Sequence, residues 1–267
     1  MAVKNKDGIN IHSAEEFEGM RKAGKLAAQV LDMITEEIKP GVTTNELNDK
    51  CHQMIIDNGA TPAPLNYKGF PKSVCTSVNH VVCHGIPNDK KLKEGDFLNL
   101  DVTVIVDGWH GDTSRIFWVG NKIPIKVKRL TKVTYDAMMK GIEQVKPGAT
   151  VGDIGAAIQE YAEGQGFSVV RDYCGHGLGK EFHTVPNILH YGRRGTGSVL
   201  EEGMFFTVEP MINVGKKETI LSKADGWTVT TRDKSPSAQF EHSLAVTSDG
   251  FEIFTQSPKG WHNPECY

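Results

Sequence analysis

The apolar residues Phe17, Met20, Ala27, Val30, Ile34 and Ile38 recur at three- and four-residue steps. That period predicts an amphipathic helix with one face turned to a core. Ser13-x-x-Glu16 marks its start as a capping box, and Pro40-Gly41 predicts its end. Thr43-x-x-Glu46 then opens a second helix with Leu47, Cys51, Met54 and Ile55 on one face. From about Val127 to Ala162 the chain repeats this helical pairing, and a strand-rich segment follows each pair.

The segment Phe97 to Val119 is dense in β-branched and aromatic residues, with Asp107-Gly108 in its middle. Those two residues are a strong signal for a tight hairpin turn. A turn there sets Val106 opposite Trp109 and Thr103 opposite Asp112, with Asp101 on the same pleat face as Thr103. Asp101 and Asp112 become diagonal neighbours, roughly 7 to 8 Å apart at the backbone and closer at the side chains. Two like charges so placed, among Leu98, Leu100, Val102 and Val104, repel each other strongly unless a cation lies between them.

Two blocks of sequence occur twice. Lys39-Pro-Gly-Val-Thr-Thr-Asn-Glu-Leu47 returns 107 positions later as Lys146-Pro-Gly-Ala-Thr-Val-Gly-Asp-Ile154, and Glu94-Gly-Asp-Phe-Leu-Asn-Leu-Asp101 returns 108 positions later as Glu202-Gly-Met-Phe-Phe-Thr-Val-Glu209. This spacing is far longer than a solenoid repeat, so it predicts two related halves packed against each other. The repeat makes Glu209 the counterpart of Asp101, and a pseudo-twofold axis brings the two acids face to face. Glu241 in Gln239-Phe-Glu-His242 and His176 in Gly175-His-Gly-Leu-Gly179 supply further ligand types. Four carboxylates and an imidazole, with no thiolate, suit a first-row divalent ion better than a structural zinc.

Composition narrows the class. The 267 residues are 39% hydrophobic, enough for a substantial core, and 30 basic against 33 acidic residues give a net charge of -3. No broad positive field is available to capture DNA. The first residues carry no secretory apolar region and no stretch is apolar enough to span a membrane, which predicts a cytoplasmic protein. Five cysteines without a Cys-x-x-Cys pair are expected to be free thiols. Gly175-His-Gly-Leu-Gly-Lys180 lacks the spacing of a phosphate loop, and no His-Glu-x-x-His zinc helix occurs. The basic run Lys122 to Arg129 reads as a solvated helix entrance, with transient contact to ribosomal RNA as its functional alternative.

From about Ile11 to Thr255 the sequence resembles the type I methionine aminopeptidases. The resemblance is carried by Pro71-Lys-Ser-Val-Cys75, Val82-Cys-His-Gly-Ile-Pro87, Leu100-Asp-Val-Thr103, His110-Gly-Asp-Thr-Ser114, Gly175-His-Gly-Leu-Gly179, Phe206-Thr-Val-Glu-Pro-Met211 and Gln239-Phe-Glu-His242. It implies an α+β pita-bread fold, with a curved antiparallel sheet covered by helices, and removal of the initiator methionine from new chains whose second residue is small. The expected organisation is one catalytic domain over 1–267, with halves at about 13–120 and 121–255. The tail 256–267 is expected to be disordered or a surface strap.

The resemblance also implies two divalent metals, drawn from Mn, Fe, Co, Zn or Ni. Asp112 and Glu241 would bridge both, His176 and Glu209 would complete one site, and Asp101 would chelate the other. Glu209 would be the proton carrier, with His84 and His183 holding substrate backbone and developing oxyanion. Tyr67, Phe70, Cys75, Phe182 and Trp227, together with His84 and His183, would bind the methionyl substrate. Asn79, Val81 and Ser237 match a monovalent-cation site of some relatives. Two positions depart from the pattern: Pro64 stands where several relatives have cysteine at the pocket floor, and His80 where they have an acid at the entrance. A proline-directed peptidase of the same fold is the nearest rival, and a binding protein that has lost catalysis is the next. Relatives of the first kind usually carry a long N-terminal domain, whereas about ten residues precede the first helix here, and a lapsed enzyme should show broken ligands. The partner is the N-terminal methionine of a nascent polypeptide, and nothing demands more than a monomer.

Overall fold

The structure is a computed structural model describing residues 3–266. Short strands β1 (Val3–Lys4) and β2 (Asn10–Ile11) precede helices α1 (Ala14–Thr35) and α2 (Thr44–Asp57). Strands β3 (Thr61–Pro62), β4 (Cys75–Val78) and β5 (Val81–Cys83) lead to the hairpin β6 (Phe97–Val106) and β7 (Trp109–Trp118). The second helical pair is α3 (Ile125–Ile142) and α4 (Val151–Gly164). Then come β8 (Ser168–Val169), β9 (Gly175–Gly177), β10 (Thr184–Ile188), β11 (Phe205–Val208), β12 (Met211–Asn213), β13 (Thr219–Leu221), β14 (Val229–Thr231), β15 (Ser237–Gln239), β16 (His242–Val246) and β17 (Phe251–Ile253).

The helix starts follow their capping signals. Thr43 N donates to Glu46 at 2.7 Å while Glu46 N donates to Thr43 Oγ1 at 3.1 Å. Thr150 N donates to Asp153 at 2.7 Å at the matching point of the second half. The first helix stops at Thr35, earlier than the periodicity through Ile38 predicts. Pro40 disfavours helix at the residue before it, so the chain unwinds through turns while Ile38 stays buried in the same core.

Related pairings recur in the two halves. In the first, β6 pairs with β7 along one edge and with β4 and β3 in succession along the other; in the second, β12 takes β8, β11 takes β9, and β15 and β16 stand in for β7. Repeated glycines share a left-handed backbone, at φ 97° and 84° for Gly41 and Gly148 and φ 88° and 90° for Gly95 and Gly203. Each half has a helix-on-sheet core. Leu98, Leu100, Val102 and Val104 point from β6 into the core under α1 and α2, so the opposite face of the strand is free for polar chemistry. The large core of the other half joins α3 and α4 to Phe206, Val208 and Leu244.

Of the two readings of the tail, the structure shows the strap. Ser257 Oγ donates to Asp32 at 2.7 Å, Lys259 N donates to the same carboxylate at 3.3 Å, and Trp261 N donates to Ser257 Oγ at 3.0 Å. Asp32 is ion-paired with Arg115 of β7 at 3.0 Å, and both are buried. Tyr267 lies outside the described residues. All five cysteines are free thiols, and no helix among the described residues is long and apolar enough to cross a membrane.

Candidate active site

The hairpin has the register read from the sequence: Val106 faces Trp109, Thr103 faces Asp112, and Asp101 faces Ser114. Asp107 and Gly108 make the turn at φ 50° and 83°, the left-handed pair that a tight two-residue hairpin needs. Thr103 Oγ1 donates to Asp112 Oδ1 at 2.7 Å and fixes that carboxylate in the pocket. Gly111 precedes it because α1 crosses β7 in backbone contact; a Cβ there would stand 2.3 Å from the Ala23 carbonyl group.

The second half delivers its ligand types from interrupted strands. β11 ends at Val208, before Glu209-Pro210, and Pro210 has no N–H to continue the ladder. Glu209 N donates instead to His190 Nε2 at 3.2 Å, and its carboxylate accepts from Thr207 Oγ1 at 2.7 Å and from Gln239 Nε2 at 3.2 Å. Glu241 lies between β15 and β16, where its N–H donates to the Ser114 carbonyl at 3.1 Å. Thr113 Oγ1 donates to the Glu241 carbonyl at 2.7 Å, and Asn99 Nδ2 to that of Gln239 at 2.8 Å. His176 on β9 uses Nδ1 to donate to the Gly177 carbonyl at 3.1 Å, which leaves the Nε2 lone pair for a cation. That Nε2 is 3.5 Å from Asp112 and 3.6 Å from Glu209.

Asp101, Asp112, His176, Glu209 and Glu241 all line one cavity of about 400 Å³. Burial pushes the Asp101 and Glu241 carboxyls well above the usual range, and the neighbouring Asp112 and Glu209 charges push them further. Burial also lifts Glu209 to about 7, against the pull of His176. Burial alone would lower His176, but its contact with Asp112 and the Glu209 charge prevail and raise it.

A divalent metal fits this donor set. One ligand atom from each of Asp112, His176 and Glu241 lies within 4.8 Å of the others, and all three residues are buried. Among the described residues the cavity lining contains one Lys and no Arg, the lysine being Lys68 at the exposed rim, so the His176 imidazole alone faces four crowded acids from within. Oxygen and imidazole donors with that deficit of positive charge call for a dication.

Tyr67, Phe70, Cys75, His84, Phe182, His183 and Trp227 line the same cavity. Phe70 and Trp227 meet edge to face at 5.2 Å and Tyr67 lies 4.9 Å from Phe182, forming the apolar walls. Tyr67 Oη is 3.0 Å from His183 Nδ1. Burial, with the adjacent His176, takes His183 down to about 4, and burial lowers His84, so both stand as neutral imidazoles near pH 7. Pro64 lines the cavity as its position at the pocket floor implies. His80, on the turn after β4 where Asn79 has φ 57°, lines a separate cavity with Lys90, Lys91 and Lys93. Asn79 and Ser237 are joined by Ser237 N donating to the Asn79 carbonyl at 2.9 Å, and Val81 pairs beside them with Thr230.

Several neighbours carried no role in the sequence reading. Cys83, Tyr173, Cys174 and Met211 line the cavity, Gln239 and Thr207 hold Glu209, and His190, fully buried and taken down to about 3 by burial, accepts from the Glu209 backbone. Strand alternation flags Gln239 beside Glu241 and Thr207 beside Glu209. For His190 the sequence offers no signal.

The profile of metallopeptidase family M24 matches residues 18–248. The chain belongs to that family. A curated relative, the methionine aminopeptidase of Rickettsia prowazekii, is 70% identical over 251 residues, which is 94% of this chain and 96% of that one. The crystal structure of methionine aminopeptidase from Rickettsia prowazekii superposes with a TM-score of 0.92, covering 92% of this chain and 99% of that chain. A Xaa-Pro dipeptidase from Bacillus anthracis is 26% identical with a TM-score of 0.74, and the match spans 93% of this chain but 62% of that one. The α+β architecture of this M24 chain is thus the pita-bread fold, two pseudo-symmetric halves around a site for divalent metal.

Proposed function

We propose that this M24 chain is a metal-dependent methionyl aminopeptidase, an exopeptidase that removes the initiator methionine from new polypeptides whose second residue is small. The observation that carries the reading is the convergence of Asp112, His176 and Glu241 within 4.8 Å in a cavity that Asp101 and Glu209 also line. The near end-to-end likeness to a methionine aminopeptidase at 70% identity favours it over the proline-directed alternative, represented at 26%. The five ligands are intact, which disfavours a lapsed enzyme.

In this reading the whole chain is one catalytic domain, with halves at about 13–120 and 121–255. Asp112 and Glu241 would bridge two divalent ions, His176 and Glu209 would complete one site, and Asp101 would hold the other. Mn, Fe, Co, Zn or Ni suits the set. Such a pair, when bound, lowers the pKa of a coordinated water toward about 7 and so supplies a nucleophile. Glu209 is shaped for proton transfer, because burial brings its carboxyl to about 7 while Thr207 and Gln239 keep it aimed inward. It accepts the proton of the attacking water and returns it to the leaving amine. The neutral His84 and His183 orient the substrate backbone and donate to the oxygen on which charge develops. Phe70, Trp227, Tyr67, Phe182 and Cys75 enclose the methionine side chain and exclude water.

Asn79, Val81 and Ser237 would carry a monovalent cation through backbone oxygens, as a structural brace. The exposed basic entrance to α3 around Lys122 to Arg129 would give transient ribosome contact, and the protein would act as a cytoplasmic monomer. The test is to load the protein with manganese and follow free methionine from Met-Ala-Ser and Met-Leu-Ser. Release from the first with little from the second is expected. Inactivity on both with metal bound would end the reading.

A further inference from the structure

Around the cavity mouth one feature has no part in the chemistry above. Lys68 is exposed and lines the same cavity as the acids, and it has no ion-pair partner among the described residues. It is not a loosely placed surface lysine. It sits in a one-turn 3-10 segment, Tyr67–Gly69, with left-handed backbone at Asn66 (φ 65°) and at Lys68 itself (φ 47°). Non-glycine residues adopt that conformation at a cost, and it is retained where surrounding structure dictates it. Here Phe70 N donates to the Tyr67 carbonyl at 2.9 Å and Asn66 N to the Phe70 carbonyl at 2.8 Å, closing the turn on itself. Tyr67 Oη then ties it to His183, and the Lys68 ammonium lies 5.2 Å from the Tyr67 ring centre. The ammonium is thus held on the His183 side of the mouth.

The remaining charges give this position its meaning. With metal bound, the acids of the floor are offset. That leaves Lys68 and Asp172 as the charged side chains lining the mouth, and Asp172 already accepts from Thr219 Oγ1 at 2.7 Å. The aromatic walls around Phe70 and Trp227 take the methionine end, so the polypeptide beyond the cut leaves past His183, Tyr67 and Lys68. An extended chain advances about 3.3 Å per residue, which carries the third residue within the reach of a lysine stem.

We propose that Lys68 is a specificity-determining residue that reads the side chain at the third position of the substrate, favouring an acidic residue and disfavouring a basic one. The inference rests on the aminopeptidase reading, and it extends the substrate class from the first two residues to the third. The expected size is that of a solvent-exposed ion pair, about two- to fivefold in kcat/KM, fading at high salt.

The test uses the manganese-loaded full chain and the C-terminally amidated peptides Met-Ala-Glu-Gly-Ser, Met-Ala-Ser-Gly-Ser and Met-Ala-Lys-Gly-Ser. Wild type should prefer Glu over Ser over Lys at low salt, mainly through KM, and lose the order at about 0.5 M salt. Lys68→Met should level the three, and Lys68→Glu should invert them. Ratios within one variant do not depend on how much of it is active. Binding of the amidated product peptides Ala-Glu-Gly and Ala-Lys-Gly, measured by calorimetry, gives a second readout without turnover and should show the same loss and inversion. An unchanged Glu-to-Lys ratio in Lys68→Met, by either readout, would overturn the proposal. Failure to cleave even the serine peptide would count against the aminopeptidase reading, while the product-binding arm would still decide the role of Lys68.

Discussion

Replacing Glu209 by Gln should do two opposite things, and the structure sets the size of each. The carboxyl is buried and raised to about 7, against about 4.5 in an unfolded chain. A folded-state pKa above the unfolded value means that the folded protein binds the proton more tightly. The associated stability is fully present below pH 4.5 and is lost as pH rises through about 7. With 1.36 kcal/mol per unit, the metal-free protein at pH 8 carries a penalty on the order of 3 kcal/mol from this one side chain. Glutamine has the same shape and no charge to bury. Its amide can keep one contact as acceptor, from Gln239 or Thr207, at a cost of about 1 kcal/mol for the contact that is mismatched. In chelator at pH 8, Glu209→Gln should therefore be more stable than wild type by roughly 2 kcal/mol, and the advantage should vanish by pH 5.

Turnover should move the other way. An amide cannot carry a proton from water to leaving amine, and loss of a general acid-base group costs about 10²- to 10⁴-fold in rate. Urea unfolding of the chelated proteins at pH 5 and pH 8, beside Met-Ala-Ser hydrolysis by the metal-loaded forms, measures both effects. A variant less stable than wild type at pH 8 would refute the claim that crowding of buried acids dominates the empty site. Turnover near the wild-type rate would refute the proton-carrying role.

Metal binding should release protons. Asp101, Glu209, Glu241 and His176 are all raised in the metal-free protein, and each must be deprotonated to act as a ligand, so affinity should fall as pH drops below about 7. Calorimetric titration with manganese in buffers of different ionisation enthalpy reads the proton count directly, and identical heats would contradict it. Asp32→Ala should destabilise the protein by about 3 to 5 kcal/mol, since it leaves the buried Arg115 guanidinium without this carboxylate and also frees Ser257 of the tail. Urea denaturation at pH 7 checks this, and a loss under 1 kcal/mol would show that the ion pair does not anchor the strap.

How far the site could be read in advance depended on whether local chemistry fixed geometry. The hairpin register follows from two residues, because a left-handed Asp-Gly turn admits one alignment and every side chain beyond it then has a face. Helix starts follow from caps for the same reason. The cavity walls were harder. Alternation along β5 would put Cys83 and His84 on opposite faces, yet His84 takes a left-handed backbone at φ 54° and both line the cavity. His190 supports Glu209 from a loop with no motif around it, and only folding brings the pair together across 19 positions. The fate of the tail was equally hidden, since Ser257 looks like any loop serine until Asp32 is found behind it, 225 positions away.

Duplication explains how the acids meet, and its imperfection explains why they are not equivalent. In the first half β6 and β7 run unbroken, so Asp101 and Asp112 hang from a rigid ladder at positions set by its pleat. In the second half both counterparts are interrupted at their acids, β11 from β12 at Glu209-Pro210 and β15 from β16 at Phe240-Glu241. Backbone groups freed by those breaks do not go unpaired. Glu241 N takes the Ser114 carbonyl, Thr113 takes the Glu241 carbonyl, and Asn99 takes that of Gln239, all of them bonds from the second half to the first. A continuous strand would have spent those groups within its own half. The break is thus what stitches the halves together beside the acids, and it lets two longer carboxylates turn inward onto a pair fixed by the opposite hairpin. The outcome is an asymmetric set of side chains, with the His176 imidazole and the raised Glu209 carboxyl both supplied by the second half, which an exact twofold repeat would exclude.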